Sequence, residues 1–216
     1  MDRGRFTAQD FKSRAVRFAL PLLTGFNASG DAEFGDHDLN PDLAQWSGPP
    51  GGFRPAAVLI GVVDREPGAT VILTLRADHL PSHAGQIAFP GGRAEESDAS
   101  PVDTALREAH EEIGLAPEKV TPIALLEPYR TRSGYRIVPV LALVSEDMAL
   151  VAHEGEVADV FEVPLAFLMD EANHQRESRM WQGRERYFYA MPYEERYIWG
   201  ATAGILRIMY ERLYAE

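Results

Sequence analysis

The chain has no cysteine among its 216 residues. That excludes disulfides, a cysteine nucleophile and thiolate metal sites, and it leaves the compartment open. No stretch approaches the ~18 apolar residues of a membrane span. The apolar run at residues 18–23 is too short for the core of a secretory signal and contains Pro21. A cytoplasmic protein with no membrane partner is therefore expected. Positive charge is scarce, with 21 Lys and Arg against 33 Asp and Glu and a net charge of −12. Sequence-independent nucleic-acid binding relies on Lys and Arg to neutralise phosphates, so no nucleic-acid partner is expected. A small phosphorylated substrate stays compatible, because metal ions can supply the missing positive charge. There is no internal repeat and no low-complexity tract. The length suits one domain with extensions.

Residues 89–115, FPGGRAEESDASPVDTALREAHEEIGL, organise the rest. Arg107, Glu108, Glu111 and Glu112 fall within six residues of a helical pattern. Glu108 and Glu112 stack one turn apart, with Glu111 on the neighbouring edge of that face. Leu106, Ala109 and Ile113 point the other way, at the spacing of a face packed on a core. Ser100 is the expected N-cap, Pro101 suits the first helical position, Asp103 completes a capping-box-like pattern and Gly114 is the expected stop. Like charges at i, i+4 repel, so a solvated face would more often alternate signs. Arg107 can pair with Glu111, which leaves Glu108 and Glu112 to share a hard divalent cation such as magnesium. For these residues alone, an acidic surface helix with one salt bridge is the plain alternative.

Phe89-Pro90-Gly91-Gly92 leading into that helix resembles the Nudix box, G-x5-E-x7-R-E-U-x-E-E-x-G-U with U aliphatic. Arg107, Glu108, Ala109, Glu111, Glu112, Gly114 and Leu115 are in register. Counting from Gly92, the first acidic position is Asp98 instead of Glu, and eight residues, one more than the pattern has, separate it from Arg107. Upstream, Ile72-Leu73-Thr74-Leu75-Arg76 and residues 83–92, HAGQIAFPGG, resemble the signature of the coenzyme A pyrophosphatase branch, which commonly carries both departures. Pro81 stands about where that branch often has an Arg. The matched region, residues 72–115, is about a fifth of the chain.

The resemblance implies an α/β fold, a Nudix-type α/β/α sandwich with a mixed β-sheet, in residues 51–216. Residues 1–50 are expected to form a helical and loop extension packing on that domain. Its helix starts near Thr7, with Phe11, Val16, Phe18 and Leu20 as its apolar positions, and Phe34, Leu39, Leu43 and Trp46 anchor its loop. Strands are expected at 56–63 and 70–76 as a hairpin, at 87–89, 120–127, 137–144 and 157–163. A basic, aromatic loop spans 128–136, a hairpin turns at Gln182-Gly183, and a last helix runs over 199–213.

The chemistry implied is metal-dependent hydrolysis of a diphosphate, with Mg2+ or Mn2+ as cofactor. Glu108 and Glu112 are the expected metal ligands, Glu111 a further ligand or the partner of Arg107, and the backbone at Gly92 another donor. Arg107 positions the carboxylates. Glu111 and, before a strand, Glu156 are the candidate general bases; exposed loop charge is the plain alternative for Glu156. Arg76, His79, His83, Arg130, Arg132 and Arg136 are candidates for a terminal phosphate, and Tyr129 and Tyr135 offer rings for adenine. Singly, each His or Arg also reads as an ordinary surface residue. Trp181, Tyr187, Tyr189, Tyr197 and Trp199 read as core or as the interface of a homodimer. The expected substrate is a coenzyme A-like nucleotide; the alternatives are another nucleoside diphosphate derivative, such as ADP-ribose or a dinucleotide, and a non-catalytic nucleotide-binding module.

Overall fold

A computed structural model describes residues 4–22, 25–26, 34–40, 48–80 and 82–215. The elements in order are α1 (Ala8–Phe18), β1 (Phe34–Gly35), β2 (Arg54–Val63), β3 (Thr70–Arg76), β4 (Ile87–Ala88), β5 (Gly91–Arg93), α2 (Pro101–Ile113), β6 (Val120–Leu125), β7 (Tyr129–Arg130), β8 (Tyr135–Val144), β9 (Val157–Pro164), α3 (Leu165–Leu168), β10 (Gln175–Trp181), β11 (Arg184–Tyr193), β12 (Arg196–Trp199) and α4 (Ala201–Leu213). Leu43, Trp46 and Pro81, each given a role from sequence, lie outside the described residues.

Strands β2 and β3 do not stay together as the simple hairpin expected. They pair only at Val62↔Val71 and Val63↔Thr70, then diverge. Residues 87–93 occupy the opening: β4 pairs with β3, and β5 pairs with β2 at Ala56–Val58. The Leu59 N–H donates to the Pro90 carbonyl at 2.8 Å, and Thr74 Oγ1 donates to the Ala88 carbonyl at 3.1 Å. The Phe-Pro-Gly-Gly segment is thus bonded on both sides. On its outer edges the sheet continues with parallel β8 along β2 and antiparallel β9 along β3.

Alternation along β2 makes the sandwich, because successive side chains face opposite sides of a strand. Ala57, Leu59 and Val63 pack with Ala105, Ala109 and Ile113 of α2. Ile60 and Val62 pack in the opposite layer with Phe11 of α1 and Leu206 and Met209 of α4. The expected α/β/α architecture is therefore present, with a mixed sheet of nine strands among the described residues. A separate three-stranded antiparallel sheet, β10-β11-β12, also forms, which the sequence did not distinguish from the main one. Its hairpin turns at Gln182-Gly183 as expected, both in left-handed conformation.

Three local expectations need correction. In α1 the buried face is Ala8, Phe11 and Ala15, while Val16 and Phe18 are exposed. The loop expected at 128–136 is largely a hairpin, with Tyr129↔Ile137 and Arg130↔Arg136 paired around a turn that needs Gly134 at φ 87°. Tyr129 is buried in the core, its hydroxyl donating to Asp36 Oδ1 at 2.9 Å, so its ring is not available to a nucleotide.

Candidate active site

Strand direction gathers the candidate residues at one end of the main sheet. Strands β2 and β8 begin there, β3 ends there, and β9, antiparallel to β3, begins there. Arg76, Glu156 and Tyr135 share that end, and α2 crosses above it.

The helix α2 forms as its caps dictate. The Ser100 Oγ accepts from the Asp103 N–H, and Gly114 closes the helix at φ 65°. Arg107 is the hub of the exposed side. Its Nε and Nη2 donate to the two Asp98 oxygens at 3.1 and 2.9 Å, and Nη1 donates to Glu108 and to Glu111 at 3.0 Å each. Nη2 also donates to the Arg93 carbonyl, which ties the helix to β5. Asp98 further accepts from Thr104 Oγ1 and the Glu95 N–H. These bonds, that to Arg107 foremost, hold its carboxyl down at about 2. The extra residue before the helix is thus absorbed in the turn at 94–99, and Asp98 reaches Arg107 from there. Glu108 is not left free by the Arg107–Glu111 pair, as the spacing suggested; it shares the same guanidinium.

Glu112 differs from its neighbours. It lies on the packed side of α2 with Ala105, Ala109 and Ile113 and is only 4 % exposed. Its Oε2 accepts from the Gly91 N–H at 2.9 Å, and its Oε1 stands 3.7 Å from Arg76 Nη1. Burial pushes its carboxyl up to about 7, opposed by the Gly91 N–H, with Glu108 and Glu156 adding repulsion. Burial also raises Glu108, opposed by Arg107, with Glu111 and Glu156 pushing further. Glu156 therefore lies within electrostatic reach of both. It is exposed, and its loop is fixed by the bond from the Ala77 N–H to its carbonyl and by His79 Nε2 on the Gly155 carbonyl at 3.1 Å.

Both glycines are required by space. A β-carbon on Gly92 would lie 2.5 Å from Glu108 Cδ. One on Gly91, whose φ is 152°, would lie 2.6 Å from Val58 Cα. The backbone thus passes directly beneath the Glu108 carboxylate.

Among the described residues, no three His, Asp or Glu side chains are arranged to hold a metal ion by themselves. The donors nonetheless fit a hard divalent cation. Magnesium takes one or two carboxylates and completes its shell with water and substrate phosphates. Glu108 and Glu112 would supply the pair, and the absence of a side chain at Gly92 lets the backbone pass close against the Glu108 carboxylate.

The other candidates divide. Arg76 joins the carboxylates, and its buried Nε has no hydrogen-bond partner among the described residues. His83, exposed, has a left-handed backbone and bonds through Nδ1 to Gln86 Oε1. Arg130, Arg132 and Tyr135 sit on the β7–β8 hairpin, with Tyr135 on β8 two strand spacings from β5, about 10 Å, and Arg130 on β7 three, about 14 Å. Arg130 lies over Phe53, Arg132 reaches Gln182 at 3.1 Å, and Tyr135 stacks beneath Arg54 at 4.0 Å. Asp36 was missed from sequence. It accepts from the Arg132 N–H at 2.8 Å and so fixes that hairpin; an isolated loop Asp carries no signal of such a distant partner.

Comparison with known proteins gives the family. A model of the NUDIX domain matches residues 44–184. The chain is 41% identical over 154 residues to the uncharacterized Nudix hydrolase NudL of Escherichia coli (strain K12), covering 71% of this chain and 80% of that one. NudL of Enterobacter sp. (strain 638) is likewise 41% identical, over 155 residues, with the same coverage. Among solved structures, the Nudix hydrolase RenU of M. Smegmatis is similar at 28% identity, a TM-score of 0.43, and coverage of 52% of this chain and 71% of that one. The chain belongs to the Nudix family, as a pyrophosphohydrolase.

Proposed function

We propose that the enzyme hydrolyses the diphosphate of coenzyme A or an acyl derivative. The products are 4′-phosphopantetheine, or its acyl form, and adenosine 3′,5′-bisphosphate. The observation that carries this reading is the segment at 83–92. It combines the branch-specific sequence with a seat between β3 and β2 beside Arg76, Glu108 and Glu112.

Nudix hydrolases use divalent ions such as Mg2+ or Mn2+. Held by Glu108 and Glu112, with Glu111 and the Gly92 backbone as further donors, such an ion supplies charge neutralisation of phosphate oxygens and a more acidic water. The protein's own groups do the rest. Arg107, locked by Asp98, sets the direction of Glu108. Arg76 offers a partly buried guanidinium to a phosphate oxygen, a geometry suited to its planar fork. Glu156, exposed and within electrostatic reach of Glu108 and Glu112, is the general base, with Glu111 the alternative within the helix. Arg130, Arg132 and Tyr135 take the nucleotide half, the arginines facing its terminal phosphate and Tyr135 its base, while His83, on the turn that follows Arg76, contacts the substrate from the β3 side.

Initial rates on coenzyme A, dephospho-coenzyme A and ADP-ribose at one metal concentration test the assignment. A clear preference for coenzyme A is expected. Preference for ADP-ribose, or indifference to the 3′-phosphate, would move the enzyme to the other nucleoside diphosphate derivatives, as Pro81 in the linker favours.

A further inference from the structure

A concavity lies on the face of the same strand end opposite the carboxylates. It is a groove of about 740 Å3 between the β3–β4 corner and the small sheet. Leu75 and Ile87, paired in register, form one wall, and Tyr197 and Trp199 of β12 form the other. Leu75 packs toward the α1–α4 layer, whereas Arg76, the next residue, faces Glu112. The groove and the carboxylate cluster are therefore separated by the end of a single strand. Gly85, also lining the groove, donates its N–H to the Arg76 carbonyl, and the Arg76 N–H donates to the Gln86 carbonyl. The groove wall and the site are thus one hydrogen-bonded turn.

Its chemistry separates the two halves of the substrate. Glu194 and Glu195 are exposed at the groove, while Arg196 is taken up by Asp159 at 2.9 Å and by the ring of Phe161. The surplus is negative, which repels a nucleotide carrying an extra phosphate. The Tyr197 ring is fixed by its hydroxyl bond to Glu177, and Trp199 is braced by Phe188 at 5.3 Å between centroids. Aromatic and aliphatic walls under a rim of Glu194 and Glu195, in a cleft of this size, suit an uncharged chain that carries both methylene and amide groups.

We infer that this groove binds the uncharged pantetheine arm, with any acyl group it carries, as the diphosphate lies beside Arg76. This assignment rests on the coenzyme A reading. It gives the substrate a direction: the adenosine half toward the β7–β8 hairpin, the arm around the end of β3 into the groove.

The test is calorimetric titration of 4′-phosphopantetheine and, separately, adenosine 3′,5′-bisphosphate into the full chain with Mg2+. The proteins are wild type, Tyr197→Ala and Trp199→Ala. Loss of either ring should raise the Kd for 4′-phosphopantetheine about tenfold and move that for the bisphosphate by less than about twofold. If Trp199→Ala does not fold, Tyr197→Ala, at a 41 % exposed position, decides alone. No binding of 4′-phosphopantetheine to wild type, or equal effects on both ligands, overturns the groove. So does a concentration-dependent dimer abolished by Tyr197→Ala with the 4′-phosphopantetheine affinity unchanged, which would make the groove a contact between two copies. Coenzyme A that is cleaved with an arm insensitive to both rings sinks the groove and keeps the substrate. An arm that binds as described while coenzyme A is not cleaved sinks the substrate and keeps the groove.

Discussion

The carboxylate of Glu108 sits so close over Gly92 that no β-carbon fits between them. Gly91, one residue earlier, meets main chain instead, at Val58 Cα. The two glycines should therefore fail differently. In Gly92→Ala the end of a flexible side chain can swing away, so the fold survives while metal affinity falls about 10- to 100-fold, as for other disturbances of ligand orientation. In Gly91→Ala the backbone must move and the new side chain must adopt a strained φ, so stability falls by about 1–3 kcal/mol or more. Thermal melts and metal titrations of both variants check this. Equal loss of stability in the two would contradict the placement of Glu108.

Asp98 gives a pH signature. Its carboxyl in the folded chain is held at about 2, below its ordinary 3.8, chiefly by the Arg107 hydrogen bonds. A group depressed on folding stabilises the fold above its ordinary value, and that contribution is lost as pH falls through the folded value. Asp98→Asn should therefore be less stable than wild type at pH 7. The gap should narrow between about pH 4 and pH 2, as judged by urea denaturation. A gap independent of pH would mean that the charge of Asp98 contributes nothing.

The choice of base is checked by kinetics. Glu156→Gln should lower kcat by about 10²- to 10⁴-fold with KM and the melting temperature little changed. Glu111→Gln should cost less, since the Glu111 carboxylate is already engaged by Arg107. The reverse order would transfer the role to Glu111.

The amino-terminal helix is tested through Phe11, which is fully buried against the α4 layer. Arg14 Nη1 also donates to the Leu213 carbonyl at 2.9 Å. Phe11→Ala should destabilise the whole chain by about 3–5 kcal/mol, measured as a shift in the denaturant midpoint. An unchanged midpoint would show that α1 docks without supporting the domain.

Local signals carried most of the site. The caps of α2, the Arg107–Glu111 pair and the glycines before the helix are all short-range features, and each appears where the pattern put it. What escaped was non-local. Helical periodicity put Glu112 beside Glu108, but a carboxylate is expected outside. Its burial depends on the Gly91 N–H, 21 residues earlier in the chain, and on Arg76. The divergence of β2 from β3 could not be read because it depends on which later segment fills the gap. At the first helix, Phe11, Val16, Phe18 and Leu20 were all candidates for the packed side. The partner surface around Leu213 and Tyr214, at the far end of the chain, instead selects the face of Phe11 and Ala15. Tyr129 read as a ring for stacking until its partner Asp36 and the close approach of Gly204 were known.

The most direct measurement is product identification after incubating the protein with coenzyme A and Mg2+ or Mn2+, for wild type and Glu112→Gln. The account predicts 4′-phosphopantetheine and adenosine 3′,5′-bisphosphate from wild type and little turnover from a folded Glu112→Gln. Intact coenzyme A alongside cleaved ADP-ribose would contradict the substrate, and near-normal turnover by Glu112→Gln at saturating metal would contradict the site.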